Sequence, residues 1–154
     1  MLKVKDLMTK DLEYLYDTHS LHDARTLMDQ KRIRHIPIVT QQQLFTGLIT
    51  QRDILSATVS RLAELDKETQ VEIDQGIPIR EIMRTDLLTA HPEDNLRSAA
   101  KTLLSHKYGC LPVVDKGELV GIVTEADFMR LTIALMDSYD SEALDIKTFR
   151  PESV

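Results

Sequence analysis

Apolar positions along the chain switch between two spacings, and they make that switch twice in the same order. Leu21, Ala24 and Met28 recur at helical spacing. They predict a helix opening at Ser20, a good N-cap residue with Asp23 three positions on, close to a capping box. Leu96, Ala99, Ala100 and Leu103 repeat that face behind Asn95, a second good N-cap. After the first of these helices come two short β-rich runs, 36–39 and 44–49, parted by a polar turn at 40–43. After the second, the turn is Asp115-Lys116-Gly117, a stronger hairpin signal. A further helix is expected from Thr50, and again from Thr124.

The order recurs because the sequence itself repeats. Ile36-Pro37-Ile38-Val39 returns 75 residues later as Leu111-Pro112-Val113-Val114. The same offset carries Met8 onto Met83, Asp11-Leu12 onto Asp86-Leu87, Leu21 onto Leu96 and Ala24 onto Ala99. After a one-residue shortening, Gly47-Leu48-Ile49-Thr50-Gln51-Arg52-Asp53 lands on Gly121-Ile122-Val123-Thr124-Glu125-Ala126-Asp127. Each copy reads as a β-α-β-β-α string, so the expected fold class is α+β. One such unit of about 55 residues buries too little surface to be comfortable alone, and two packed face to face would share a core. The boundaries expected are 1–57 for the first repeat, 58–78 for a connector, 79–136 for the second repeat and 137–154 for an acidic polar tail. The connecting stretch is charged and partly helical in pattern, with Leu55, Val59 and Leu62 on one face, and ends at Gly76-Ile77-Pro78.

Composition narrows the class without naming a function. Hydrophobic residues make up 42% and charged ones 29%, an ordinary globular balance that needs no metal or disulfide staple. The single Cys110 excludes an internal disulfide and suits a reducing compartment. Residues 1–6 lack a signal-peptide h-region, and no apolar run approaches the length of a membrane span, so a cytoplasmic location without membrane insertion is expected. A net charge of −6 disfavours nucleic acid or an anionic surface as the main partner.

The doubled Gly-h-h-Thr-x-x-Asp segment, with h apolar, carries the most chemistry. One reading is structural: Thr50 would cap the amide of Asp53, and Asp53 would favour the positive end of the helix dipole. The other starts from the same geometry. Free N–H groups and a hydroxyl at a helix start can receive a phosphate, and an Asp on the first turn can accept both hydroxyls of a ribose. Gly47 and Gly121 would let the strand backbone pass close to a neighbour or a ligand. The two readings are compatible, since a cap can be exchanged for a ligand contact.

Those residues, with Asp6-Leu7-Met8-Thr9, Ala24-x-x-x-Met28 and His35-Ile36-Pro37-Ile38-Val39, resemble a CBS domain. Glu81-Ile82-Met83 and Cys110-Leu111-Pro112-Val113-Val114 carry the resemblance in the second copy, so that the chain is similar to a tandem CBS pair, or Bateman module, from residue 4 to about 135. The resemblance implies two repeats packed through their sheets in pseudo-two-fold fashion, with adenosine-containing ligands held in two clefts between them. It implies that Thr50 and Asp53, and Thr124 and Asp127, hold phosphate and ribose. It places adenine beside Asp11 and Leu12 with Ile36 and Pro37, and beside Asp86 and Leu87 with Leu111 and Pro112. It also implies a homodimer paired through helices, for which the apolar stretch 128–136 and the Leu55 to Leu62 face are the expected contacts.

The copies differ in charge. The first has Lys31-Arg32-Ile33-Arg34-His35 before its Pro and Arg52 inside its Thr-x-x-Asp segment, while the second has His106-Lys107-Tyr108-Gly109-Cys110 and Glu125-Ala126 in the corresponding slots. Either that basic run is a solvated helix end, or Arg34, His35 and Arg52 neutralise a polyphosphate, since Arg forks phosphate bidentately. His19 and His22 have a spacing that could seed a metal site, but no further ligand is evident and a polar helix start explains them better. Cys110 reads as a small buried filler. No base, nucleophile or metal cluster emerges, so the expectation is a non-enzyme with no obligatory cofactor: a regulatory module for an adenine nucleotide, with or without magnesium, reporting to an effector protein. The alternative is a ligand-free dimerisation scaffold for an enzyme or transporter.

Overall fold

The computed structural model describes residues 1–59, 66–106 and 109–140. The elements run α1 (Val4–Leu7), β1 (Leu15–Tyr16), α2 (Leu21–Lys31), β2 (His35–Val39), β3 (Phe45–Thr50), α3 (Gln51–Val59) and α4 (Lys67–Gln75). A single 3-10 turn (Ile79–Glu81) precedes α5 (Leu96–Ser105), β4 (Cys110–Asp115), β5 (Glu118–Thr124) and α6 (Glu125–Tyr139). The expected helix starts hold: Ser20 closes a capping box with Asp23, and Asn95 accepts from the Arg97 amide. Helix α2 stops where Arg32 turns left-handed at φ 53° and returns its N–H to Met28 O. The apolar stripe ends there too.

Each repeat builds its own small sheet. In the first, β1 pairs parallel with β2 and β2 antiparallel with β3. In the second, β4 and β5 form the antiparallel pair, and a lone parallel bridge from Ala90 to Val113 stands where β1 would be. Both hairpins slip register at matching places, Ile38/Val39 and Val113/Val114. Lys116 and Gly117 both take positive φ in the second turn, which suits the right-handed twist of the strands it joins.

The halves meet through their sheets across a pseudo-two-fold seam. Leu48 N–H donates to Arg84 O at 2.9 Å and Arg84 N–H to Leu48 O at 2.7 Å. Ile122 and Thr9 repeat that exchange at 3.1 and 2.9 Å. Leu48, Cys110 and Ile122 form a buried cluster on the seam, flanked by Leu12 and Leu87.

Which copy supplies which core residue is less simple. The first core joins Leu21, Ala24, Met28, Ile36, Ile38, Ile49 and Ile54 to Ile79, with Ile77, Ile82 and Met83 packed against it. The second joins Ala90, Ala99, Leu103, Leu111, Val113 and Val123 to Val4, with Leu7 and Met8 packed against it. The segment leading into each repeat therefore packs on the other repeat. Main-chain bonds fix the exchange: Val4 N–H to Asp94 O and Leu96 N–H to Leu2 O on one side, Leu21 N–H to Ile77 O and Ile79 N–H to His19 O on the other. Glu93 receives Lys3 and Lys5, which hold its carboxyl down at about 2.

Gly47 and Gly121 make room for this exchange. Met83 lies over Gly47 and Met8 over Gly121, so the close neighbour is the protein itself. In the connector, Asp66 caps α4 on the Thr69 amide, and buried Asp74 pairs with Arg25 of α2. Leu62 and the 141–154 part of the expected tail lie outside the described residues.

Candidate functional site

Strands β3 and β5 end at the seam, and each delivers a Thr that caps the next helix. Thr50 and Thr124 accept from the amides of Asp53 and Asp127 through their hydroxyls. The carboxylates return the favour: Asp53 Oδ2 accepts from Thr50 N–H at 2.9 Å and from its hydroxyl at 2.8 Å. Asp127 Oδ2 accepts from Thr124 N–H at 2.8 Å and from its hydroxyl at 3.1 Å. Both capping boxes are complete. The capping reading of the Thr-x-x-Asp segments is therefore a fact of the fold, and any ligand must work around it.

Just before the first strand of each hairpin, the chain crosses the start of the helix that follows the hairpin. Gln51 N–H donates to Arg34 O at 2.9 Å, and Glu125 N–H donates to Gly109 O at 3.1 Å, the same bond in each repeat. Arg34 and Gly109 are thus equivalent positions with opposite bulk. Gly109 takes φ 75°, and a Cβ there would stand 3.1 Å from His35 Nε2. The bare backbone lets the His35 ring lie against the second repeat. Cys110, the counterpart of His35, is buried in the seam; burial first, and the Glu125 carboxylate second, push its thiol up to about 12. It is an inert packing residue, as its sequence context suggested.

Two adjoining cavities open at this junction. The larger, about 480 Å³, is lined from the first repeat by Asp11, Leu12, Arg34, His35 and Pro37 and from the second by Ile122, Thr124 and Asp127, among others. The smaller, about 380 Å³, is lined by Thr50, Gln51, Arg52 and Arg84. Arg34, His35, Gly109 and Glu125 belong to both, so the cavities share a wall.

The sequence candidates fall unevenly around these cavities. Asp11, Leu12, Arg34, His35, Pro37, Thr124 and Asp127 come together at the larger one, while Thr50 and Arg52 stand at the smaller. Asp53 is turned to Arg84, whose Nε reaches its Oδ1 at 2.9 Å. Ile36 and Leu111 are fully buried in the two cores, so only their main chain could meet a ligand. Asp86, Leu87 and Pro112 line neither cavity. Other lining residues escaped the sequence reading, among them Thr9, Ile122 and Arg130 at the larger cavity and Arg84 at the smaller. Arg84 is the offset partner of Thr9, and that mismatch was the available signal.

The family model for the CBS domain matches residues 4–60 and 79–133, both repeats and most of the chain. The chain belongs to the CBS domain family. As a CBS pair it is similar to a solved Vibrio cholerae protein assigned to acetoin utilization, AcuB, at 38% identity and a TM-score of 0.78, covering 91% of this chain and 98% of that one. It is similar to Arabidopsis thaliana CBSX2 solved in complex with AMP, at 26% identity and a TM-score of 0.74, covering 88% and 99%. The CBS pair of protein MJ0100, solved with 5′-methylthioadenosine and S-adenosyl-L-methionine, matches at 27% identity and a TM-score of 0.72, covering 88% and 98%. Among curated relatives, a homoserine O-acetyltransferase of Methanohalophilus mahii is 33% identical over 124 residues, 80% of this chain but 23% of that enzyme. No described helix is long and apolar enough to cross a membrane.

Proposed function

We propose that this CBS pair is a non-catalytic regulatory module that binds an adenosine-containing nucleotide, of the AMP, ADP or ATP kind, between its two repeats. One observation carries the reading: side chains of both repeats converge on a single cavity of about 480 Å³, a volume suited to a small-molecule site. Leu12, Pro37 and Ile122 offer apolar surface to a base there. Asp127 offers a carboxylate to ribose hydroxyls, and Thr124 with the start of α6 suits a phosphate. The AMP and S-adenosyl compounds of the solved relatives share the adenosine that such a set recognises, which supports the class of ligand. No obligatory cofactor is invoked, and magnesium would enter only with the phosphates. A ligand gripped by both repeats stabilises one relative arrangement of them, and an effector protein reads that arrangement. The setting proposed is cytoplasmic, without nucleic acid or membrane insertion.

A thermal-shift panel of adenine ligands, with guanosine and cytidine controls, tests this directly. At about 100 times its dissociation constant a ligand adds roughly 2.7 kcal/mol, on the order of 5 to 10 °C for a domain of this size. The shift is expected to be selective for adenine and to vanish in Asp127→Ala. A panel without any shift removes the reading.

Phosphate number is a separate expectation. Arg34 and His35 stand at the wall common to both cavities and Arg52 in the smaller one. The paired substitutions Arg34→Ala and Arg52→Ala are expected to erase a preference for ATP over adenosine. An unchanged ratio of dissociation constants would assign these cations to solvation alone.

A second reading is favoured by the exposed apolar residues of α6, where Met129, Ile133 and Met136 are 63%, 52% and 47% exposed. It keeps a homodimer formed through such helices and drops the ligand, leaving a scaffold for a partner enzyme or transporter. Asp53→Ala and Asp127→Ala would then cost only a capping-sized loss, about 1 kcal/mol each.

A further inference from the structure

Asp53 and Asp127 hold matching places in the two repeats, yet their carboxylates are filled to different degrees. Each commits Oδ2 to the amide and hydroxyl of its own Thr. They part at Oδ1. On Asp53 that oxygen meets two nitrogens of one guanidinium, Arg84 Nε at 2.9 Å and Nη2 at 2.8 Å. On Asp127 it meets one, Arg130 Nη1 at 2.8 Å. A carboxylate has about four acceptor sites, so Asp53 is saturated while Asp127 keeps one open.

The two arginines are also held differently. Arg130 stands one turn along the same helix with its side chain 72% exposed, and it can swing into water. Arg84 reaches Asp53 from the other repeat, its main chain fixed by paired hydrogen bonds to Leu48. The first repeat has Thr9 in that place, a side chain too short to plug the Asp127 cavity that it helps to line.

We infer that Arg84 closes the Thr50/Asp53 cleft to a ribose, so that the chain takes one adenosine ligand, in the cleft that ends at Asp127. The inference rests on the nucleotide-binding reading above. A ribose presents two O–H donors, and Asp53 already receives four donors from Thr50 and Arg84. Expelling Arg84 would also leave the Asp53 carboxylate, 11% exposed, without its ion-pair partner. At Asp127 the diol needs only the open acceptor site and the place of an exposed arginine. Arg84 is thus a specificity-determining residue: it makes two repeats of like sequence into one nucleoside site and one cationic cavity.

Isothermal titration calorimetry of the full chain with AMP, and then with ATP, reads this as a stoichiometry. One nucleotide per chain is expected for the unaltered protein. Arg84→Thr, which gives the second repeat the residue of the first, is expected to bind two, and Arg84→Ala is a second variant with the same expected outcome. In the Arg84→Thr background, Asp53→Ala should remove one equivalent and Asp127→Ala the other. Two equivalents in the unaltered chain, or one in both Arg84 variants, overturns the assignment. Absence of binding heat from all of these proteins, each retaining a cooperative melt, instead removes the nucleotide reading on which it rests.

Discussion

Replacing Arg25 with alanine is expected to cost the fold about 3–5 kcal/mol, the range for removing one partner of a buried ion pair. The pair is lopsided: Asp74 is 1% exposed, whereas the Arg25 side chain is 29% exposed. The Asp74 carboxylate accepts from Arg25 Nε at 2.9 Å and from Gln70 Nε2 at 2.8 Å. Without the guanidinium, one amide donor would face a charge shut between α2 and α4. The effect should spread beyond that contact. Helix α4 leads directly into Ile77 and Ile79, whose main chains bond to Leu21 and His19 and seat Ile79 in the first core. Removing both charges is a different matter, because apolar groups of similar volume can replace a buried pair at little cost. Arg25→Met with Asp74→Leu is expected to recover most of the loss. Urea unfolding of the three proteins checks this, and a loss under about 1 kcal/mol for Arg25→Ala would mean that water reaches Asp74.

This pair was not legible in the sequence, and the reason is instructive. Asp74 sits in a charged connector, Lys67–Gln75, where a solvated face is the natural expectation. Only the partner across 49 residues marks it as buried. Local signals, by contrast, are legible because their causes are local. Ser20, Thr50 and Thr124 cap helices through residues three positions away, and the hairpins follow from turns of a few residues. The repeat also fixed the order of elements, since each copy must satisfy the same packing. It carried no address, however. Val4 and Ile79 are apolar residues at the entry to their own repeats, and nothing in their spacing says that each will fill the other repeat's core. The same gap affected the candidate site. Thr124 and Asp127 were identified as a pair, but their company of Asp11, Leu12 and Pro37 comes from the fold. Ile36 and Leu111 were expected beside a base, yet alternation along a strand that is buried on both faces turned them into the cores.

Gly47→Ala is expected to destabilise the protein more than Gly121→Ala, although both add one methyl group at matching positions. At Gly121 the new Cβ would meet Met8 Sδ at 2.6 Å, while Thr9 O lies 3.2 Å away. At Gly47 it would meet Met83 Sδ at 2.7 Å and also Arg84 O at 2.9 Å. A methionine tip can swing aside, since three rotatable bonds let it refill a gap. The Arg84 carbonyl cannot, because it accepts the Leu48 N–H across the seam while the Arg84 N–H returns to Leu48 O. Overpacking costs about 1–3 kcal/mol, and Gly47→Ala belongs at the upper end, a fall of roughly 5 to 10 °C in melting temperature. Double-mutant cycles separate the two obstacles. Measured against Met8→Ala, the added cost of Gly121→Ala should nearly disappear, because the flexible tip was its main obstacle. Measured against Met83→Ala, much of the cost of Gly47→Ala should remain, because the carbonyl is still in place. Equal residual costs in the two backgrounds would show that the main chain at Arg84 yields as readily as a side chain, and that the Leu48–Arg84 bridge is not the fixed point of the seam.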